Sequence, residues 1–422
     1  MRILFISAFY PPQVVGGWEQ LVRDINERLK ERGHTTHVLT STYGVDAPVR
    51  EEGVDRLLTL ESDMHHYQPT QFIGHKRRLA DNLKNTRQTI ETFQPDVIFI
   101  HVMFNLSRGI AYTAEQLCPG RVVYYVANDW PHALDPHTAY WRDPAQSSVL
   151  NLAKQILAPI PLNIIERENN SFQLKFERVL CVSQAIKNTL AREADIPPEN
   201  MSVVYNGVET DLFVPPPEQP DGLKTLNQLS LLYAGSLNTH KGVHTAIEAM
   251  ALLSKQSKAE DISLTIVGSG HPDYEARLKA LVHENNLEKA VHFPGRVPRE
   301  DMPALLQKFD VLVFPSIWEE PLARMTQEAM AAGMAVISTL TGGTGELVIE
   351  GETGLTFDPE DATVLAQRID QLKNDPSLYK KLVKNGREKV LQQFDIRRMI
   401  DEIEMHLSDT IEKAPAQKIL IP

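Results

Sequence analysis

The sequence Phe314–Ala332, FPSIWEEPLARMTQEAMAA, decides how the rest of the chain is interpreted. The apolar run Val311–Phe314 predicts a buried strand, and a helical pattern begins at Leu322. Glu320 is therefore expected on a loop at the carboxyl end of a strand, and Glu328 two turns into the next helix. Open α/β sheets bind ligands at that end of their strands. The free N–H groups at the start of such a helix suit a phosphate.

The composition excludes several classes of protein. A chain of 422 residues is long enough for two or three domains, and its net charge of −12 argues against general nucleic-acid binding. Two cysteines, Cys118 and Cys181, predict a reducing compartment and no disulfide framework. No apolar run reaches the ~20 residues of a membrane span, and the N-terminus has no cleavable signal pattern. We therefore expect a soluble, cytoplasmic protein.

The order of the predicted elements indicates two similar halves. Strands alternate with helices from Arg2–Ser7 onward, and the alternation restarts at Ser230–Ala234. Such a run predicts right-handed βαβ units and a parallel sheet. The predicted fold is α/β, with two doubly wound Rossmann-like domains and a cleft between them. We place the N-terminal domain at 1–206 and the C-terminal domain at 207–395.

The stretch from Glu320 to Glu328 resembles the Glu-x7-Glu signature of the retaining glycosyltransferases of family 4, which have the GT-B fold. The resemblance is specific because Phe-Pro-Ser precedes the signature and Glu-Ala-Met-Ala-Ala-Gly closes it. It extends over nearly the whole chain. It implies that the C-terminal helix 396–422 crosses back onto the N-terminal domain. That domain is then the acceptor side, and the C-terminal domain binds the nucleotide sugar. The protein is expected to be a bacterial polysaccharide-type glycosyltransferase.

The predicted donor site combines two carboxylates with cationic groups. Glu328 is placed to accept hydrogen bonds from a ribose diol, and the resemblance implies the same role. Glu320 is then expected at the transferred sugar, with its neighbour Glu319 ranked second. Lys241, at the end of a Gly-bounded loop, is predicted to meet the diphosphate charge. The resembled family usually has Arg where this chain has Ser236.

Arg324 is predicted to supply a second cation for the diphosphate. The alternative is that Arg324 pairs only with Glu328, four residues later on the helix. Backbone recognition of the base is expected near Gly268 and Arg296-Val297. The predicted donor-binding residues are Gly16, Gly17, Gly235, Ser236, Lys241, Gly268, Arg296, Val297, Leu322, Ala323, Arg324, Met325 and Glu328.

A glycine-rich loop follows the first predicted strand. Gly16 and Gly17 stand between that strand and the amphipathic helix Trp18–Arg32, where backbone can approach a ligand closely. The resemblance implies that this loop faces the donor phosphates and the acceptor. A tight turn without a ligand is the alternative interpretation.

The strand after Arg121 ends in a polar pair. Members of the resembled family commonly have His-Asp there, whereas this chain has Asn128 and Asp129. An asparagine can hold a sugar hydroxyl but cannot titrate. Any proton role must then lie elsewhere, and His101, His132 and His137 are the candidates in sequence. We predict that the catalytic residues are Glu320, Asn128, Asp129 and His101.

No metal or other cofactor is expected. The chain has no Asp-x-Asp motif and no His/Cys/Asp cluster at metal-ligand spacing along the sequence. The resemblance implies retaining, metal-independent transfer of a hexose from a nucleotide-diphosphate sugar, with UDP-glucose as the first choice. The acceptor is expected to be a saccharide or a lipid-linked saccharide of envelope or exopolysaccharide biosynthesis. The basic start of the predicted helix Gln71–Phe93 is either a peripheral membrane contact or a solvated face.

Two other functions stay open at the level of sequence. A nucleotide-sugar epimerase can have the same fold, and the Glu-x7-Glu unit argues against it. A non-catalytic nucleotide-sugar-binding protein is the other alternative, for which Asn128 and Ser236 are the observations. Epimerisation of the donor without an acceptor would support the epimerase. Nucleotide binding without any turnover would support the non-catalytic binding protein.

Overall fold

The computed structural model describes residues 1–13, 16–64, 67–145, 147–216, 228–257 and 261–415. The chain forms two compact units. Unit 1 comprises Met1–Val182, Ile186–Val204 and Ile400–Pro422, and unit 2 comprises Ser183–Ala185 and Tyr205–Met399. The proline-rich stretch predicted to be stiff, from Pro215 to Gly222, lies outside the described residues from position 217 onward.

Unit 1 is built on an eight-stranded sheet. Its strands are β1 (Arg2–Ser7), β2 (Thr35–Ser41), β3 (Val49–Glu51), β4 (Val54–Leu58), β5 (Val97–Ile100), β6 (Val122–Val126), β7 (Val179–Cys181) and β8 (Met201–Val203). They lie in the order β3-β4-β2-β1-β5-β6-β7-β8. β1 beyond the exposed Arg2, and β5 to β7, are buried because helices cover both faces of a doubly wound sheet.

One edge of this sheet is not parallel. β3 pairs with β4 in the antiparallel direction, whereas the other neighbouring strands of the sheet are parallel. Only Glu52 and Gly53 separate the two strands, and Gly53 has φ +76°. A two-residue connection makes a hairpin, and a hairpin is antiparallel. The expected parallel sheet thus carries one antiparallel strand, β3, at its edge, which the sequence did not predict.

The helices of the first half are α1 (Trp18–Glu31), α2 (His75–Phe93), α3 (Arg108–Leu117), α4 (Pro136–Arg142), α5 (Ser148–Leu157), α6 (Pro159–Ser171) and α7 (Gln184–Glu193). The helix predicted from Gln71 begins four residues later, because Pro69–Gly74 forms a 3-10 turn. The helix predicted from Ala145 begins at α5, where the Ser147 hydroxyl accepts a hydrogen bond from the N–H of Leu150.

Unit 2 is a six-stranded parallel sheet. Its strands are β9 (Leu229–Ala234), β10 (Ile262–Val267), β11 (Val291–Gly295), β12 (Val311–Phe314), β13 (Ala335–Ser338) and β14 (Leu355–Thr356). They lie in the order β11-β10-β9-β12-β13-β14. Its helices are α8 (Val243–Lys255), α9 (Pro272–Glu284), α10 (Met302–Leu306), α11 (Arg324–Ala331), α12 (Ala362–Asn374) and α13 (Pro376–Gln393). α11 begins two residues after the predicted Leu322, because Ala323 is extended, with ψ 106°.

The last helix, α14 (Ile396–Lys413), contributes its first four residues to unit 2 and the rest to unit 1. Within unit 1 it is fastened to the end of α1. Arg32 pairs with Asp401 and with Glu404 at 2.6 Å each, and Ile403 and Leu407 are fully buried. Among all the helices in the described part of the chain, none has the length and apolar character to cross a bilayer.

Candidate active site

Two loops of unit 2 meet at the carboxyl ends of β9 and β12, which are neighbours in the sheet. The strand order reverses between them, which is where doubly wound sheets bind ligands. Lys241, from the loop after β9, places Nζ 2.5 Å from Oε1 of Glu320, from the loop after β12. The Ser316 hydroxyl donates to the same carboxylate oxygen at 2.7 Å. The two residues predicted at the diphosphate and at the transferred sugar are thus direct partners.

Two glycines, one after β9 and one after β13, allow their loops to approach the loop after β12. Gly242 follows Lys241 with φ +65°, and a Cβ there would lie 2.0 Å from the carbonyl oxygen of Pro315. Gly342 has φ +56°, and a Cβ there would lie 2.2 Å from the carbonyl oxygen of Glu320. Both positions combine a left-handed backbone with contact to main chain, which excludes larger residues. The backbone itself therefore fixes the place of the Lys241–Glu320 pair.

Glu328 is held by two arginines. It is buried in α11, and the Arg299 guanidinium donates to both of its carboxylate oxygens at 2.6 and 2.5 Å. Arg324 Nε lies 3.7 Å from Glu328 Oε1. A forked guanidinium–carboxylate pair fixes the orientation of both groups. The sequence did not reveal Arg299, because 29 residues separate it from its partner and no motif connects them.

Apart from Met325, which lies in α11, the remaining predicted donor residues of unit 2 lie on loops at the same edge of the sheet. Gly235 N–H donates to the Val267 carbonyl at 3.0 Å, and Gly268 N–H donates to the Gly295 carbonyl at 2.9 Å. The carbonyl of Ser236 accepts a hydrogen bond from the Tyr233 hydroxyl. Arg296 and Val297 follow β11, with Arg296 exposed, and Leu322, Ala323 and Met325 surround the start of α11. The N–H groups of the first turn of that helix have no acceptor within the helix.

His101, in unit 1, is enclosed at the end of β5. Its Nδ1 lies 2.9 Å from the Tyr125 carbonyl oxygen and its Nε2 3.2 Å from that of Trp18. Burial lowers the pKa of His101 to about 4, although both carbonyl contacts oppose this shift. The imidazole is therefore neutral at pH 7 and too weakly basic for efficient proton transfer there. The two contacts place His101 between α1 and β6.

Asn128 follows β6 and is 3% exposed. Neither its side-chain oxygen nor its nitrogen has a hydrogen-bond partner among the described residues. A buried amide left in this state costs about 1–3 kcal/mol per unpaired group, and a hydroxyl-bearing ligand would remove that cost. Asp129 is next to it, and its carbonyl accepts the N–H groups of His132 and Ala133 in a turn.

The loop before α1 leaves space beside its glycines. A Cβ on Gly16 or Gly17 would meet no described atom within 4 Å, and neither residue has a positive φ. Local structure therefore does not require glycine at either position. The Gly16 N–H donates to Oε2 of the buried Glu19 at 2.9 Å, which holds the loop against the start of α1.

The comparisons with known proteins identify the family. A family model described as Glycosyltransferase Family 4 matches residues 15–212, and one described as Glycosyl transferases group 1 matches residues 217–389. Between them they leave out only the two ends of the chain and residues 213–216.

The chain belongs to glycosyltransferase family 4. It is a transferase enzyme, as its relatives also indicate. A glycogen synthase of Mycobacterium tuberculosis is 26% identical over 410 residues, covering 94% of this chain and 91% of the relative. The putative colanic acid biosynthesis glycosyltransferase WcaL of Escherichia coli is 34% identical over 207 residues, covering 47% of this chain and 48% of WcaL.

The fold of this glycosyltransferase matches that of solved structures. The crystal structure of Anabaena HepE in complex with UDP-glucose aligns with a TM-score of 0.67 at 22% identity, covering 97% of this chain and 100% of HepE. The prediction of a GT-B fold with two Rossmann-like domains is confirmed, as is the family.

Substitution of Arg324 tests which group it serves in this glycosyltransferase. Arg299 already holds both oxygens of Glu328, so we expect Arg324 to act on the diphosphate as the cation that Ser236 does not supply. Arg324→Ala should lower kcat more than it raises KM for the donor, because charge on the leaving group grows in the transition state. Ser236→Arg should restore part of the loss. A rise in KM alone, with no rescue, would assign Arg324 to the support of Glu328.

Proposed function

We propose that this enzyme transfers a hexose, with retention of configuration, from a UDP-sugar to a saccharide or lipid-linked saccharide acceptor in polysaccharide synthesis. UDP-glucose is the first donor to test. The observation that carries the proposal is the pairing of Lys241 with Glu320 at the carboxyl ends of the strands of unit 2, with Glu328 on the helix that follows Glu320. HepE, which shares the fold, was crystallised with UDP-glucose. WcaL and glycogen synthase are named for polysaccharide products.

Each residue has a proposed task at the donor. Glu328, oriented by Arg299, accepts hydrogen bonds from the ribose hydroxyls. Glu320 binds hydroxyls of the transferred sugar. Lys241 and Arg324, with the N–H groups that begin α11, compensate the diphosphate charge. Charged groups already fixed in place stabilise a growing charge without reorganisation.

The proposed reaction proceeds on one face of the sugar. The bond between the anomeric carbon and the diphosphate oxygen breaks, and the acceptor oxygen forms the new bond on the same face. The acceptor proton passes to the departing diphosphate oxygen, so no protein base is required. Asn128, in unit 1, is proposed to bind a hydroxyl-bearing ligand with its otherwise unpaired amide.

A thermal-shift screen over nucleoside diphosphates and their sugars tests the proposal first. Ligand at 100 times its Kd adds about 2.7 kcal/mol to the free energy of unfolding. UDP and UDP-glucose should raise Tm more than the ADP, GDP and TDP series. Transfer to saccharide acceptors is then followed by NMR, which reports the anomer formed. An inverted anomer would refute retention, and the absence of any response to nucleotides would refute the donor assignment.

We expect transfer to persist in excess EDTA at a temperature well below Tm. The proposed diphosphate clamp is made of Lys241, Arg324 and backbone N–H groups, which can replace a divalent ion as counter-charge. The measurement is the initial rate with and without chelator, before and after addition of Mg²⁺ or Mn²⁺. A rate that disappears in EDTA and returns with either of these ions would refute metal-independent transfer.

A lipid-linked acceptor implies contact of this enzyme with a membrane surface. The basic segment predicted for this contact is only partly available, because His75 and Arg78 point inward and only Lys76 and Arg77 are exposed. A larger apolar surface lies on α5 and α6. Five apolar side chains there are more than half exposed, namely Leu150, Leu152, Ile156, Leu157 and Ile160. Burying such residues in lipid is favourable by roughly 25 cal/mol per Å².

The double substitution Leu152→Ser/Ile156→Ser should reduce co-sedimentation with anionic vesicles by about tenfold or more, since two exposed side chains contribute about 1.5–3 kcal/mol each when fully buried. Lys76→Ser/Arg77→Ser serves as the comparison for the basic segment and should have a smaller effect at physiological salt. Equal binding of wild type and the Leu152/Ile156 variant would remove the apolar surface from the proposal.

A further inference from the structure

A buried cluster in unit 1 lies outside the residues assigned to donor binding. Glu61 follows β4, His75 begins α2, and His137 lies in α4. One ligating atom from each of these three side chains lies within 4.8 Å of the other two. The residues are 3%, 2% and 1% exposed, respectively. Spacing along the sequence could not reveal this cluster, because its members come from three separate elements.

Each imidazole presents one nitrogen to Glu61 and has a polar group behind the other. His75 Nδ1 is 2.8 Å from Glu61 Oε2, and its Nε2 is 2.6 Å from a carboxylate oxygen of Glu168. His137 Nε2 is 3.5 Å from Glu61 Oε2, and its Nδ1 is 2.7 Å from the Tyr67 hydroxyl. Histidines that ligate metals have this outer support, which fixes the ring and its tautomer.

The hydrogen bonds of the cluster leave two atoms unsatisfied. Glu61 Oε1 and His137 Nε2 are buried and have no hydrogen-bond partner among the described residues. A protonated His75 can donate to both Glu61 and Glu168, but this leaves Glu61 Oε1 and His137 Nε2 unsatisfied. A cation between the three side chains would accept the lone pair of His137 Nε2, and a carboxylate bound through both of its oxygens would satisfy Glu61 Oε1 as well.

The charge around the cluster also suits a dication. Arg78 Nη2 lies 3.6 Å from Glu61 Oε2, and it is fixed by the carbonyl oxygens of Glu61 and Gln71 at 3.1 and 2.6 Å. With both imidazoles neutral, the carboxylates of Glu61 and Glu168 outnumber this guanidinium by one. An open cleft of about 290 Å³, lined in part by Glu61, Gln71 and Arg78, adjoins the cluster and provides a route for an ion.

We propose that Glu61, His75 and His137 bind one divalent transition-metal ion of the zinc type. Two imidazoles and one carboxylate form a ligand set that zinc accepts, whereas Mg²⁺ and Ca²⁺ prefer oxygen ligands. The ion replaces the proton between His75 and Glu61, and water takes the fourth position. It joins the loop after β4 to α2 and α4, and through Glu168 to α6. This site is structural and does not depend on the proposed function.

Metal binding to the full chain tests the proposal directly. The protein is stripped with a chelator, dialysed, and titrated with Zn²⁺ under calorimetry and with Co²⁺ under visible spectroscopy. We expect one equivalent of either ion per chain, ligand-field bands with Co²⁺, and a rise in Tm of about 5 °C or more with Zn²⁺. Mg²⁺ should produce neither effect. Binding well below one equivalent, or no change in Tm, would overturn the proposal.

Variants assign the ligands. His137→Gln and Glu61→Gln should abolish the Co²⁺ bands. Glu168→Gln and Tyr67→Phe, which leave all three ligands in place, should weaken affinity by about 10–100-fold, and they keep the test informative if a ligand variant fails to fold. His283→Gln is the matched control, because that histidine is 85% exposed at its side chain and pairs only with Glu288 in the described residues.

The double substitution His65→Ala/His66→Ala tests whether these two histidines, rather than the proposed ligands, bind the ion. Both histidines precede Tyr67 and lie outside the described residues. We expect this variant to bind the same number of metal ions per chain as the wild type. Binding that disappears with His65 and His66 but persists in His137→Gln would place the ion elsewhere and refute the site.

Discussion

Replacing Lys241 with methionine should lower kcat for sugar transfer by about 10²–10³-fold, the usual effect of removing one group that stabilises a developing anion. Methionine keeps the length and apolar stem of the side chain but not the ammonium group, which lies 2.5 Å from Glu320 Oε1. The leaving diphosphate would then develop its charge without this cation. We expect KM for the donor to rise less than kcat falls.

The carboxylate partner provides the second half of the same test. Glu320→Gln should also lower kcat strongly, and the double variant should cost less than the two single effects combined, because the residues act as a pair. Glu319→Gln is the matched control, since Glu319 is an exposed neighbour of the same type. Additive effects of the two substitutions, or an equal loss in the control, would contradict a coupled Lys241–Glu320 pair.

Replacing Glu328 with glutamine should weaken UDP binding by roughly 1.5–3 kcal/mol, or about 10- to 150-fold in Kd. The amide retains one acceptor oxygen for the ribose and cannot satisfy both donors of Arg299. Isothermal titration calorimetry measures the affinity, and circular dichroism checks that the fold is retained. An unchanged Kd would refute the ribose contact.

The role of Arg299 can be separated from that of Glu328. Arg299→Lys retains the positive charge beside Glu328 but loses the fork, so the orientation of the Glu328 carboxylate is less defined. We expect a smaller loss of UDP affinity than in Glu328→Gln. If Arg299→Lys binds UDP as weakly as Glu328→Gln does, the guanidinium itself contacts the nucleotide.

The sequence predicted the parts of the fold that depend on local pattern. Buried runs such as Val97–Ile100 and Val311–Phe314 are strands because every residue in them is covered. β3 was missed because Val49–Glu51 is exposed throughout and so shows no alternation. The start of α11 was misplaced because Ala323 favours helix, and its extended backbone depends on the neighbouring loop.

The individual site residues were easier to predict than their contacts. Lys241 and Glu320 each belong to a recognisable pattern, but they are 79 positions apart in the sequence and only the adjacency of β9 and β12 brings them together. Arg299 has no pattern of its own, so neither its presence nor its fork onto Glu328 follows from the sequence. The same holds for His75 and His137, whose relation exists only in three dimensions.

The fastening of α14 to α1 has a consequence for synthesis on the ribosome. The β-strands of unit 1 are complete once Val203 has been made, but residues 400–413, which pair with Arg32, are translated nearly two hundred residues later. At ~5–20 residues per second this delay is about 10–40 s. During that interval the nascent unit 1 lacks the helix that carries Ile403 and Leu407. Its uncovered apolar surface makes this interval the stage at which a chaperone would matter most.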